Sequence, residues 1–156
     1  MEAEQQPNGI KLTTTVPYSR ILQYVNLQVG KAYTLAFCAS NISSQHRIAV
    51  CNEDLSETVQ IKTGSDEILV INFIAEHNTM AMLYYPGYSD NGGSSLLKWA
   101  ALYEGTYITE TLPSYIPKGI YAEMFGCGIP LAPHNFLNNS DFCNPINQGG
   151  MTGYGG

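Results

Sequence analysis

One short run gathers the groups best suited to recognising a small polar molecule: Tyr84-Tyr85-Pro86-Gly87-Tyr88-Ser89-Asp90-Asn91. A pyranose ring offers an apolar C–H face that stacks on aromatic side chains, while its hydroxyls need planar amide or carboxylate partners. This loop supplies both kinds of group. Trp99 and Tyr103, on one face of an extended stretch with Ala101 between them, form a second candidate platform. Large aromatics also dominate cores, so the competing reading places Trp99 and Tyr103 in an interior and packs the loop tyrosines against a rim. Asp90 and Asn91 could in addition bind calcium, although Asp-Asn-Gly-Gly is also turn chemistry.

Nothing in the chain reads as a catalytic centre. There is no Gly-x-Ser-x-Gly, no Walker loop and no His-Glu-x-x-His, and Gly149-Gly150 with Gly153 does not open a helix after a strand. Glu53, Asp66, Asp90 and Glu104 would have to meet in one cleft to serve glycoside hydrolysis, and no spacing brings them there. The expectation is therefore a protein that is not an enzyme. His46, His77 and His134 lie in three separate segments, no Cys-x-x-Cys occurs, and a zinc site has no support.

Composition narrows the class. At 156 residues, of which 44% are apolar, the chain can build one ordinary core. Only 13% are charged, while glycine (15) and tyrosine (11) are plentiful, a profile that suits an all-β extracellular or virion protein. Seven Lys plus Arg stand against 13 Asp plus Glu, and the sequence holds no basic cluster, which argues against nucleic acid. The apolar runs at Ile68 to Ile71 and Leu96 to Leu102 are too short to span a bilayer, and the start, MEAEQQPNG, has no signal-peptide pattern.

The elements that must position these residues are short strands. Residues 1–9 are polar and expected to be disordered. Strands are predicted at Ile10 to Thr14, Arg20 to Val25, Ala32 to Ser40, Arg47 to Cys51, Thr58 to Lys62, Glu67 to Ala75 and Thr79 to Tyr85, with a long loop from Pro86 to Ser95 and a final strand from Lys98. In the third of these, Tyr33, Leu35, Phe37 and Ala39 alternate with Thr34, Ala36, Cys38 and Ser40, giving one large apolar face. Glu67 to Ala75 is apolar at both parities and reads as a central strand covered on both sides. Trp99, Ala101 and Tyr103 share one face of the last strand, opposite Lys98, Ala100, Leu102 and Glu104, and Gly105 ends it. Cys38 and Cys51 fall on consecutive strands and could form a cross-strand disulfide, or remain two buried thiols. Residues 121–128 could form one helical turn or a linker.

Three stretches, RILQYVNLQVGKAYTLAF, Ala101 to Thr109 and Asn135 to Gln148, are similar to segments of the carbohydrate-binding-module-like (galactose-binding-like) jelly rolls of phage and prophage tail-fibre proteins. In RILQYVNLQVGKAYTLAF, residues Gln23, Gly30, Lys31, Tyr33, Thr34 and Leu35 match that family's entry hairpin. Its closing pattern, Lys-Leu-Glu-x-Gly followed by Ala/Ser-Thr, stands here as Ala101, Leu102, Tyr103, Glu104, Gly105, Ile108 and Thr109, with Ala101 and Tyr103 departing from it. Asn135, Leu137, Asn139, Ser140, Asp141, Phe142, Asn144, Pro145, Asn147 and Gln148 resemble the family's opening segment, which has no counterpart before Ile10.

The resemblance implies an all-β antiparallel sandwich of jelly-roll type over residues 10–119. A linker at 120–134 would lead to a segment at 135–156 that is either the first strand of a following module or a tail completing this one. A sheet lacking a strand invites pairing at its open edge, so Asn135 to Asn147 would fill the gap in its own molecule or in a second copy. A disordered tail is the other reading. The implied role is a non-catalytic module of a virion tail appendage, assembled in the bacterial host cytoplasm. Its partners would be a bacterial cell-surface glycan, contacted through Tyr84, Tyr85, Tyr88, Asp90, Asn91, Trp99 and Tyr103, and other tail-fibre subunits. A ligand-free structural spacer and a glycan depolymerase are the alternatives. No cofactor is implied beyond the calcium option.

Overall fold

A computed structural model describes residues 1–115 and 135–137. Nine strands run in chain order: β1 (Glu2–Gln6), β2 (Gly9–Thr14), β3 (Ile21–Asn26), β4 (Ala32–Ser40), β5 (His46–Asn52), β6 (Thr58–Gly64), β7 (Ile68–Ile74), β8 (Thr79–Tyr85) and β9 (Gly93–Glu104). They form two antiparallel sheets, a five-stranded one in the order β1-β2-β9-β4-β7 and a four-stranded one in the order β3-β8-β5-β6. The sheets face each other across one core, which is the expected jelly-roll sandwich. No α-helix occurs among the described residues; the only helical piece is a short 3-10 turn at Thr109–Thr111.

Strand alternation makes the core. The β4 residues Tyr33, Leu35, Phe37 and Ala39 point inward and meet Leu69, Ile71 and Phe73 of β7, Ile10 and Leu12 of β2, and Leu97, Ala100 and Leu102 of β9. The opposing sheet contributes Ile21 and Val25 of β3, Ile48 and Val50 of β5, and Met80, Met82 and Tyr84 of β8. The change of parity in β9, from inward Leu97 to inward Ala100 and Leu102, needs a bulge. Its register on β4 shifts there, with Ala39 opposite Leu97 but Cys38 opposite Trp99, so Lys98 is the extra residue. Trp99, Ala101 and Tyr103 are thereby turned to the outer face.

Several expectations are corrected. Residues 2–6 are not disordered but form β1, paired with β2 from Glu2 opposite Thr13 to Gln6 opposite Gly9. The last strand begins at Gly93 rather than Lys98, because Gly93 to Leu97 pair with β2 before the bulge. Nor is β7 a central strand: it is an edge of the five-stranded sheet, with Leu69, Ile71 and Phe73 inward and Ile74 53% exposed. Its apolar residues at both parities reflect an apolar outer surface, not a second covering layer. Of the two readings of Cys38 and Cys51, the structure has the two buried thiols, and topology precludes the bridge. Cys38 lies on β4 and Cys51 on β5, strands of different sheets, and both are free thiols on the outward side of their strands.

The last described segment completes the five-stranded sheet. β2 pairs with β9 only as far as Leu97, which leaves the β9 edge open beyond it. Asn135–Leu137 occupies that lane: the Phe136 N–H donates to Leu102 O at 2.9 Å, and Asn135 Oδ1 accepts from the Leu102 N–H at 3.0 Å. Asn135 Nδ2 donates to Ala100 O at 3.3 Å. Leu137 is fully buried in the core, and Phe136 meets Tyr33 edge-on, with centroids 5.9 Å apart. The remainder of the expected tail strand, the linker and the helical turn at 121–128 lie outside the described residues.

Candidate functional site

The structure splits the predicted site residues into three groups. Tyr84 belongs to the core. Its ring stacks on Phe37 with centroids 4.9 Å apart, and its hydroxyl sits in a buried relay. His46 Nε2 lies 2.6 Å from Asp66 O, a group that can only accept, so Nε2 carries the proton and Nδ1 accepts from the Tyr84 hydroxyl at 2.9 Å. The Tyr84 oxygen then accepts from Ser95 Oγ at 2.8 Å. Burial pushes the Tyr84 phenol well above its usual range and pulls the His46 imidazole below its own. Tyr84 is therefore no contact residue: as an inward residue of β8, it cannot reach solvent.

Trp99 and Tyr103 lie on the outer face of the five-stranded sheet, but the chain after Gly105 folds back over them. Tyr115 stacks on Trp99 with centroids 5.2 Å apart, and Tyr107 meets Tyr103 edge-on at 6.2 Å. The return is fastened at Thr34, whose hydroxyl contacts Asn72 Oδ1 and Gly105 O and accepts from the Tyr107 N–H at 3.0 Å. Tyr103 is left 1% exposed, with its phenol pushed up by burial and then by nearby Tyr107. Tyr103 is a packing residue under this strap, whereas Trp99 stays partly exposed beside Tyr115, and both lie outside the interior between the sheets.

Tyr85, Tyr88, Asp90 and Asn91 do come together, at one end of the four-stranded sheet. Tyr85 is the outward neighbour of Tyr84, and Arg47 stands opposite it on β5. The Tyr85 and Tyr88 rings meet edge-on with centroids 5.6 Å apart, and both remain partly exposed. Arg47 lays its guanidinium 3.5 Å above the Tyr88 ring and donates from Nε to Thr63 Oγ1 at 2.6 Å. Arg20 approaches Tyr85 from the residue just before β3, with Cζ 6.0 Å from the ring centroid. Beside Tyr88 lies an open depression of about 490 Å³ lined by Pro17, Tyr18, Ser44, Gln45, Ser89 and Asp90. Tyr18, at its edge, is 68% exposed.

The loop carrying Tyr88 is held in place. The Tyr88 N–H donates to Gln45 O at 2.8 Å, Gly92 N–H to Ser89 O at 2.9 Å, and Ser43 and Ser94 exchange bonds across the turn. Gly87 lies so close to Gly93 that a Cβ on it would be 2.4 Å from the Gly93 backbone, which explains a glycine there. Asp90 and Asn91 are exposed at the tip. Among the described residues, the Asp, Glu and His side chains close enough to share an ion are Glu57, Glu76 and His77, all exposed, and Asp90 is not with them.

Sequence reasoning missed Tyr18, Arg20 and Arg47. The signal available was parity: Arg47 and Tyr85 are both outward on predicted strands, and Arg20 begins a predicted strand. The pairing of β5 with β8 and β8 with β3, which puts them side by side, is not visible locally.

No family model matches the chain, and no curated protein matches it. Solved structures do. One described as "CBM4 structure and function" superposes with a TM-score of 0.54 at 11% identity, over 67% of this chain and 76% of that one. The CBM36-1 domain of a multidomain xylanase from the hindgut metagenome of Trinervitermes trinervoides follows at 0.46 and 13% identity, over 69% and 89% of the two chains. A Glycosylation Associate Protein (Gap123) complex from Streptococcus agalactiae gives 0.40 and 16%, over 74% and 44%. The likeness is one of fold and rests on the first of these: the chain is a sandwich of the kind seen in a carbohydrate-binding module.

Proposed function

We propose that this domain is a non-catalytic carbohydrate-binding module whose contact surface is formed by Tyr18, Tyr85 and Tyr88. The observation that carries the reading is the presentation of Tyr88, a partly exposed ring braced by Arg47 on a hydrogen-bonded loop beside a depression lined by amide, hydroxyl and carboxylate groups. Aromatic faces take the C–H side of a sugar, while Gln45, Ser89 and Asp90 suit its hydroxyls. The likeness in fold to a carbohydrate-binding module is consistent with this role. A tail-appendage context, with a bacterial surface glycan as target and fibre subunits as neighbours, is the finer form of the same proposal and follows from the sequence resemblance alone. The experiment is a glycan array with the wild type, Tyr88→Ala and Tyr18→Ala. Binding that both variants lose supports the surface, whereas binding they retain removes it.

The ligand-free spacer has one observation in its favour. The Asn135–Leu137 lane beside β9 accepts a strand-like segment, as a module joining its neighbours would. Silence across a broad array, together with self-association in solution, would favour it.

A further inference from the structure

The chain contains two arginines, Arg20 and Arg47, and the fold brings both to one tyrosine pair. Acidic residues outnumber basic ones 13 to 7, so counter-ions were plentiful. Yet the ion pairs among the described residues are Lys31–Glu104 and His77–Glu57, and neither includes an arginine. Arg47 is also pre-set: stacking on Tyr88 and its Nε bond to Thr63 fix the plane of the guanidinium. Burial pushes the Tyr85 phenol up, while the Arg20 and Arg47 charges pull against it, so both charges reach the same point of the surface. A fixed, planar guanidinium without a carboxylate partner is suited to a planar anion from outside, held by paired N–H donors.

Resting on the glycan-binding reading, we infer that the Tyr85–Tyr88 surface selects acidic saccharides, with Arg20 and Arg47 holding the ligand's carboxylate or sulfate while a sugar ring lies on the tyrosines. Neutral glycans satisfy the rings but leave both guanidiniums, whose bonds go to Tyr18 O and Thr63 Oγ1, without a counter-ion.

The test uses the full chain on paired immobilised polymers that differ in charge: polygalacturonate with its methyl ester, dextran sulfate with dextran, and polyglutamate as a sugar-free polyanion. The expected result is binding to a charged member at least about tenfold tighter than to its neutral partner, weakening as NaCl is raised. Arg20→Gln and Arg47→Gln should each reduce that preference; Arg20 is exposed, so its variant keeps the test valid if Arg47→Gln perturbs folding. Equal binding within both pairs, unchanged in the arginine variants, would overturn the acidic preference and leave the glycan reading standing. Equal capture of polyglutamate would overturn both as a saccharide site, and so would no binding to any polysaccharide. A charged carboxylate polymer bound without the sulfated one, or the reverse, supports the inference and names the group.

Discussion

Asn135→Ala should destabilise the whole sandwich, although Asn135 lies far along the chain from the strand it serves. Its side chain, 3% exposed, accepts from the N–H groups of Leu102 and Leu137 at 3.0 Å each and donates to Ala100 O at 3.3 Å. Alanine leaves two buried β9 backbone groups without partners, each costing roughly 1–3 kcal/mol, so the expected loss is about 2–6 kcal/mol. If the segment then detaches, Leu137 leaves the core and adds about 1.5–3 kcal/mol. For a domain of this size, each kcal/mol moves Tm by roughly 2–4 °C, which places the shift on the order of 10 °C. Urea and thermal unfolding of the full chain provide the assay. Asn135→Asp is a second probe: it keeps an acceptor for Leu102 but sets a carboxylate against Ala100 O, so it should be no better than alanine. A chain stopped at Gly128 should lose at least as much. Unfolding midpoints equal to the wild type in all three would refute the docking of this segment on β9 and with it the completed sheet.

Folded His46 is held neutral by burial, so the unfolded chain takes up its proton first as pH falls below about 6.5. Stability should fall from that pH towards the lower folded value by at most about 1.4 kcal/mol per pH unit, and urea midpoints of His46→Gln should lack this slope between pH 6.5 and 5. Tyr84→Phe removes the donor to His46 Nδ1 and the acceptor for Ser95, and should lose about 1–3 kcal/mol without affecting glycan binding. Gly87→Ala forces the backbone away from Gly93 and should weaken glycan binding by about tenfold or more although every contact residue remains; wild-type affinity in that variant would show the loop is not what positions Tyr88.

The sandwich was legible because its strands alternate cleanly: Tyr33, Leu35, Phe37 and Ala39 fall on one face, as period-two patterning requires, and Thr79–Tyr85 coincides with its predicted bounds. Misreadings came where parity or pairing depends on distant residues. The Lys98 bulge reverses the inward side of β9, so Trp99 and Tyr103 face outward, where the strap from Gly105 to Tyr115 buries Tyr103 and lays Tyr115 on the partly exposed Trp99. β7 resembled a central strand because an edge strand with an apolar outer surface has the same composition. Within the loop run, Tyr84 and Tyr85 are indistinguishable by type; strand parity sends one to Phe37 and the other to Arg47. The arginines, separated in the chain, became neighbours only through sheet order.

The placement of the two described cysteines has a practical consequence. Cys38 backs the five-stranded sheet beneath the surface near Trp99, while Cys51 backs the four-stranded sheet among Ala49, Ala81 and Leu83. Each is shielded in the native state, and the sandwich separates them, so alkylation of one reports exposure on its own side alone. The molecule thus carries a natural reporter on each flank, and mass-resolved labelling can tell loosening of the strap from loosening of the tyrosine-bearing layer without any engineered probe.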